Sequence, residues 1–384
     1  MNAHTVVVLG GGIGGVVTAR RLRRHLDATD RVVVIERDPV FRFAPSFLWV
    51  MTGARQPGQI TRDLRRLRAE GIEILDTEVT AIDPTNRTVT TTANTFAADA
   101  LVVALGATLD PGAIPGFRDV AHNLYTLDGA AAAGDALRSI QSGSVAVVVS
   151  STPFKCPAAP YEAAFLADGL LRRRGVRDRV DVDIYTPEAL PMPTAGPAIG
   201  DALVQLLQAR GIGFHPGHSV RGIDRDTNMV TFGDGAGAHA DVVLGIPAHR
   251  PPAVITASGL AGGAGYIPVD RHTLITATPG VYAIGEVTAI PIADGKMLPK
   301  AGVFAEAQAD IVAKRIADEF GGRQPGATFD GNGACFIELG DGTSAYAGGN
   351  FYAADGPTVR MRRPGRRWHL AKVAFEQYWL RRWI

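Results

Sequence analysis

The chain has 384 residues, 46% of them apolar, and a formal net charge of +1. That length leaves room for two or three cored domains, and the balance excludes disorder and bulk nucleic-acid binding. Two cysteines exclude a disulfide scaffold, so they act as a redox pair or as single thiols if they act at all. The charge is uneven: the stretch from Arg360 to the C-terminus holds eight Lys/Arg and one acid, Glu376, leaving the remainder net negative. No run reaches the length of a membrane span, and no secretory signal precedes Thr5, so the cytoplasm is the expected compartment.

Thr5–Leu9 reads as a buried parallel strand, continuous and β-branched. Gly10, Gly12 and Gly15 follow as G-x-G-x-x-G, and a helical segment runs over Val16–His25. Arg31–Ile35 forms the second strand, and Glu36 closes it. A strand, a glycine loop, a helix and an acid at the end of the next strand suit a dinucleotide: the loop holds the pyrophosphate and the acid bonds a ribose hydroxyl.

The chain then repeats itself. Arg68–Ile72, Glu78–Asp83 and Asn86–Val89 resemble Gln208–Ile212, Ser219–Asp224 and Asn228–Thr231. Each set ends in a similar strand, within Ala98–Gly106 and within Ala240–Gly245. The sequence therefore predicts an α/β protein with two tandem Rossmann-like units, each with a β-meander before its last strand. Aligning them sets Ser150–Glu162, after the apolar run Val145–Val149 and before a helical segment Ala163–Arg174, where the first unit has its glycines. That loop carries Lys155, Cys156 and three prolines instead. Pro153, Pro157 and Pro160 have no N–H to offer a phosphate, so no nicotinamide cofactor is expected in the second unit.

Further on come Val281–Glu286, a short strand ended by an acid, then Pro299-Lys300-Ala301-Gly302 before a helical segment, Val303–Phe320. Cys335 lies in the apolar run Ala334–Leu339, and Trp368–Ile384 reads as an amphipathic helix. His215 and His218 look like a metal pair but have no further ligands nearby, so a loop is the better reading and no metal is expected.

Together these pieces resemble the flavoproteins with two dinucleotide-binding domains, of glutathione-reductase-like fold. More narrowly they resemble the sulfide:quinone oxidoreductases and the flavoprotein subunit of flavocytochrome c sulfide dehydrogenase. The residues that carry the resemblance are Lys155-Cys156-Pro157 with Tyr161-Glu162, Pro45-Ser46 with Trp49 and Gly53, Pro299-Lys300-Ala301-Gly302, Cys335 and the aromatic tail. It implies an FAD-binding domain over 1–112 and 266–326, a second unit over 113–265 and a C-terminal domain over 327–384. It implies FAD contacts at Gly10, Gly12, Ile13, Gly14, Gly15, Glu36, Arg37, Val79, Ala104, Gly106, Gly285, Glu286, Lys300 and Ala301. With no cysteine before Cys156, that FAD is expected to be non-covalent. Glu286 stands where many relatives have Asp, and the third cysteine of many quinone-reducing relatives is missing.

The resemblance further implies that Cys156 and Cys335 work as a pair. Hydrosulfide attacks their disulfide, leaving a persulfide and a thiolate that hands its electron pair to the flavin. Lys155 and a helix N-terminus are expected to lower the Cys156 pKa. Lys300 is expected at the flavin's pyrimidine edge, and Glu162 to move protons or simply to favour the helix dipole. Ala371, Ala374, Phe375, Tyr378 and Trp379 fall on one helical stripe between arginines. That stripe suits either an anionic membrane surface on the cytoplasmic side, close to a quinone, or a core or dimer contact. A cytochrome acceptor, and an NADH:quinone oxidoreductase, remain as alternatives, and a homo-oligomer is left open.

Overall fold

Val6–Leu9 are all fully buried, so their strand has no polar side and must lie within a sheet covered on both faces. In the computed structural model, which describes residues 3–384, that strand is the centre of a five-stranded parallel sheet. The order is Val281–Ala283, Ala100–Val103, Thr5–Leu9, Arg31–Glu36, Ile72–Asp76. The edge strand Val281–Ala283 arrives from late in the chain, after the second unit.

The second unit builds the same sheet again: His122–Asn123, Val242–Ile246, Gly143–Val149, Val180–Tyr185, Gly213–His215, all parallel. Each unit inserts a three-stranded antiparallel meander before its last sequential strand. The likeness reaches register, because both meanders shift by a bulge in the first pairing, between Val79 and Ala81 and between Val220 and Gly222. The internal repeat legible in the sequence is therefore a repeat of architecture.

The chain leaves each central strand through a loop into a helix, Ile13–His25 in the first unit and Ala159–Arg173 in the second. The long helix Gly302–Phe320 lies across Ile13–His25 and brings Lys300–Gly302 to the glycine loop. Next come an antiparallel sheet of Asn332–Glu338, Ser344–Asn350 and Arg360–Gly365, and the helix Arg366–Trp383. The strand of Cys335 lies against the helix after Cys156. At the crossing, a Cβ on Gly169 would stand 2.1 Å from the Gly340 carbonyl oxygen, so only glycine allows that approach.

The last helix corrects the predicted stripe. Ala374 and Tyr378 face out with Leu370, while Trp379 is 1% exposed, stacks on Phe41 and packs against the tilted ring of Phe43. The buried face is Lys372, Glu376, Trp379, Leu380 and Trp383. A helical wheel sets lysine and glutamate outward, but here both have buried partners. Glu376 accepts from Ser46 Oγ at 2.5 Å and from Arg55 Nε at 2.8 Å. Among the described residues no helix is long and apolar enough to cross a membrane.

Candidate active site

Between the units lies a cavity of about 430 Å³. Its first wall is the glycine loop. Gly12 precedes the helix without any side-chain cap, so the first N–H groups of Ile13–His25 have no side-chain partner there. A Cβ on Gly12 would meet nothing within 4 Å, which leaves the approach to those N–H groups open. Behind it, a Cβ on Gly15 would stand 1.8 Å from the Gly10 carbonyl oxygen. Glu36 lines the same wall, with Oε2 accepting from the Gly11 N–H at 2.7 Å. Open donors at a helix N-terminus and an acid closing the neighbouring strand fit the pyrophosphate and ribose of FAD.

The opposite wall is the cysteine loop. Cys156 has φ +50°, uncommon for a residue with a side chain, and its N–H donates to the Lys300 carbonyl at 2.6 Å. The loop is thereby tied to the start of the helix Gly302–Phe320, whose N-terminus faces the same cavity. Tyr125 closes its far side, donating from its hydroxyl to the Lys155 carbonyl at 2.6 Å. Cys335 does not line this cavity. It borders a small apolar one of about 30 Å³, which Pro157 also lines and which shares Ala301 with the larger cavity. Both sulfurs are free.

The thiol of Cys156 runs against the expectation of a lowered pKa. Burial pushes it well up, and the charges of Cys335 and Glu162 push it the same way. Burial also pushes Cys335 up, to about 11, with Glu162 adding to it. Lys155 does not offset this, because its ammonium is turned away toward Glu286, 3.9 Å off. The offsetting cation is Lys372, from the last helix, which lowers both thiols. Lys372 is buried, donates to Glu162 Oε1 and lies 4.9 Å above the Trp49 ring. Burial disfavours its charge, but Glu162 and Glu338 outweigh that and hold it protonated. Burial in turn raises the pKa of Glu162.

Around the second acid, Lys300 Nζ donates to the carbonyls of Glu286 at 2.6 Å and Thr288 at 3.0 Å, and sits 3.6 Å above the Tyr266 ring. Its burial brings its pKa down to about 8. His249 Nε2 stands 3.8 Å from Glu286 Oε1, and both atoms are buried without hydrogen-bond partners. Burial drops His249 to about 3, so the imidazole is neutral, and burial raises Glu286.

Gly12, Ile13, Gly14, Glu36, Ala104, Gly106, Cys156, Glu162, Gly285, Glu286, Lys300 and Ala301 therefore meet around one cavity, with Gly10 and Gly15 shaping the turn behind it. Two expected cofactor contacts do not reach it. Arg37 turns its side chain out to Glu78 at 3.4 Å, and Asp38 lines the wall instead. Val79 packs into the first unit's core beside Ile82 and Val89. Lys372, Glu338 and His249 escaped the sequence reading, since nothing local marks a lone charged or imidazole group as buried. The one signal present was the i, i+4 spacing of Lys372 and Glu376 on an otherwise aromatic helix.

Residues 4–309 match the model of the pyridine nucleotide-disulphide oxidoreductases, and the chain belongs to that family as an FAD-dependent oxidoreductase. Within it, the chain is similar to the sulfide-quinone reductase of Aquifex aeolicus (strain VF5), 27% identical over 98% of this chain and 90% of that one. It is also similar to the mitochondrial sulfide:quinone oxidoreductase of Mus musculus, at 24% over 88% of this chain and 76% of that one. The X-ray structure of the Aquifex aeolicus sulfide:quinone oxidoreductase matches with a TM-score of 0.88 and 25% identity, covering 98% of this chain and 91% of that one.

Proposed function

We propose that the chain is a sulfide:quinone oxidoreductase that oxidises sulfide at Cys156 and Cys335 and passes two electrons through non-covalent FAD to a quinone. The observation that carries the reading is the cysteine loop. It occupies the glycine-loop position of the second unit, faces the flavin cavity, and backs onto the strand of the other cysteine.

When bound, FAD supplies the acceptor for the electron pair. The sulfur chemistry belongs to the chain. In the oxidised enzyme the two cysteines are joined, and hydrosulfide attacks one of them. A bond forms between substrate sulfur and that cysteine, the cysteine–cysteine bond breaks, and the other cysteine leaves as a thiolate. Sulfide is oxidised and the cysteine pair reduced. Burial opposes the thiolate, and the Lys372 ammonium offsets that cost at both cysteines. The proline-rich loop lacks the amides to hold a second dinucleotide, so electrons enter from sulfur rather than from a nicotinamide.

The outward face of the last helix supports a contact with a membrane surface on its cytoplasmic side. Leu370 and Tyr378 are 64% and 55% exposed, and the exposed Arg366, Arg367 and Arg381 surround them. An apolar patch ringed by arginines suits an anionic bilayer and brings the cavity near a membrane quinone. Anaerobic titration of the FAD-loaded enzyme with sulfide tests the reading. Sulfide bleaches the flavin of the wild type, and Cys156→Ser and Cys335→Ser each abolish the bleaching with FAD still bound. A normal response in either variant sinks the mechanism. Sedimentation with anionic vesicles tests the surface, and Leu370→Glu with Tyr378→Glu releases the protein.

A further inference from the structure

The contacts of Glu286 do not suit a carboxylate. Its side chain lines the flavin cavity, with Lys155 Nζ 3.9 Å from Oε2 and His249 Nε2 3.8 Å from Oε1. An ionised carboxylate draws a cationic donor in to about 2.7–2.9 Å, and both of these stand off. Oε1 and the His249 Nε2 are buried, and neither has a hydrogen bond. Because Oε1 is closed off, a group bound in the cavity meets Oε2 and leaves Oε1 to His249.

His249 lies on Ala248–Arg250, the strand by which the chain returns from the second unit, paired with Thr108–Asp110. Its side chain is 0% exposed, and Tyr125 stands edge-on to the ring at 5.2 Å. Nδ1 meets the Pro247 carbonyl at 2.9 Å. A carbonyl can only accept, so Nδ1 carries the hydrogen and Nε2 of the neutral ring is a bare lone pair. A lone pair that faces a carboxylate oxygen in a buried site leaves both unsatisfied, and one proton between them satisfies both. The titratable groups around the pair are Lys155, Lys300, Tyr125 and Tyr266. The two lysines disfavour an imidazolium, which leaves the shared proton on Glu286.

The same geometry sorts the two cations. Lys300 spends its ammonium on the Glu286 and Thr288 carbonyls and on the Tyr266 ring. Lys155 lines the cavity, and its ammonium has no hydrogen bond among the described residues. We propose that Glu286 stands in the flavin cavity as a neutral acid donating to His249, and that His249 is the positioning residue that thereby frees Lys155 to face the flavin. An electron pair that arrives with one proton leaves the flavin one charge more negative, and an unpaired cation beside it favours that state. A carboxylate at Glu286 would cancel the cation. The proposal needs FAD in this cavity and no particular electron donor.

Two measurements test it, neither of them using sulfide. The first is the infrared difference between FAD-loaded wild type and Glu286→Gln near neutral pH. It contains the stretch of a protonated carboxyl, and His249→Phe moves that band. The second is the flavin midpoint potential, from anaerobic dithionite titration against a reference dye. Glu286→Gln keeps the wild-type potential, since an amide also donates to His249 and carries no charge. Glu286→Asp is too short to reach His249 and ionises beside Lys155. Its reduced flavin is disfavoured roughly tenfold, a drop of ~30 mV for a two-electron couple. A difference spectrum without the band, or a Glu286→Gln potential raised by that same step, shows an ionised Glu286 and overturns the proposal. A band that His249→Phe leaves in place overturns the pairing with His249. Each of these results leaves the sulfide reading intact, and an enzyme whose flavin sulfide cannot reduce overturns that reading alone.

Discussion

The loop after Leu9 and the loop after Val149 leave the central strands of two matching parallel sheets, yet they use opposite parts of the chain. The first works through its backbone. Gly10 turns at φ +99°, Gly15 has no room for a Cβ, and the helix start is free of side-chain caps. The second works through a side chain. Its prolines lack N–H groups, and the Cys156 N–H is spent on the Lys300 carbonyl. The loop accepts Cys156 in the left-handed region, at a cost of roughly 1–2 kcal/mol. One strand–loop–helix frame can thus present amides to a phosphate or a thiol to a redox partner. Its residues decide which.

The sharpest way to break the first loop is Gly15→Ala. The added methyl would stand 1.8 Å from a backbone oxygen that no rotamer can move, so the turn must open. The expected result is protein purified almost without flavin, read from the ratio of visible to ultraviolet absorbance. Full flavin occupancy in that variant would show that the glycine loop does not cradle the cofactor. The second loop is tested by what it refuses. NADH reduces the bound flavin at least ~100-fold more slowly than sulfide does, since the prolines leave no amide cradle for its pyrophosphate. Comparable rates for the two reductants in one stopped-flow series would erase the functional distinction between the loops.

Much of this was legible because it depends on local pattern. Val6–Leu9 is buried without interruption, the glycine spacing is fixed by the turn, and the repeat survives down to a bulge in each meander. Cys156 stood out because it interrupts that repeat. The cation that faces Cys156 was not legible, because it comes from the far end of the chain. Lys372 lies 210 residues from Glu162, and Glu376 lies 321 from Arg55. A lysine or glutamate on a basic helix reads as solvated until a distant acid or guanidinium takes it inside. For the same reason the predicted stripe mixed Trp379, which is buried, with Tyr378, which is exposed. Lys155 misled in the other direction: adjacent in sequence to Cys156, it points at Glu286.

That distant partner gives the next test. Lys372→Met leaves the Glu162 carboxyl without its cation in a buried site, and the expected loss is about 3–5 kcal/mol in denaturant unfolding. Adding Glu162→Gln removes the stranded carboxyl and recovers a large part of the loss. If the double variant is no more stable than Lys372→Met alone, the two groups are not coupled, and the last helix is not held to the cysteine loop through them.

The smallest effect concerns how the helix after Cys156 is fastened, by a contact specific to the second unit. Tyr161 donates from its hydroxyl to Glu188 Oε2 at 2.5 Å, and Glu188 is 7% exposed. Burial pushes the Glu188 pKa up to about 7 from an ordinary 4.5. Between those values the folded chain holds a proton that the unfolded chain has released. The stability from this group is therefore complete below about pH 4.5 and is lost as the pH rises to about 7, a fall of about 3 kcal/mol. Glu188→Gln cannot ionise, so its unfolding free energy lacks that decline. Subtracting the two unfolding profiles across this window isolates the group, since other titrations are common to both proteins. Parallel profiles would mean that Glu188 is solvated when folded, and that the cysteine-loop helix is fastened by the Glu162–Lys372 pair without it.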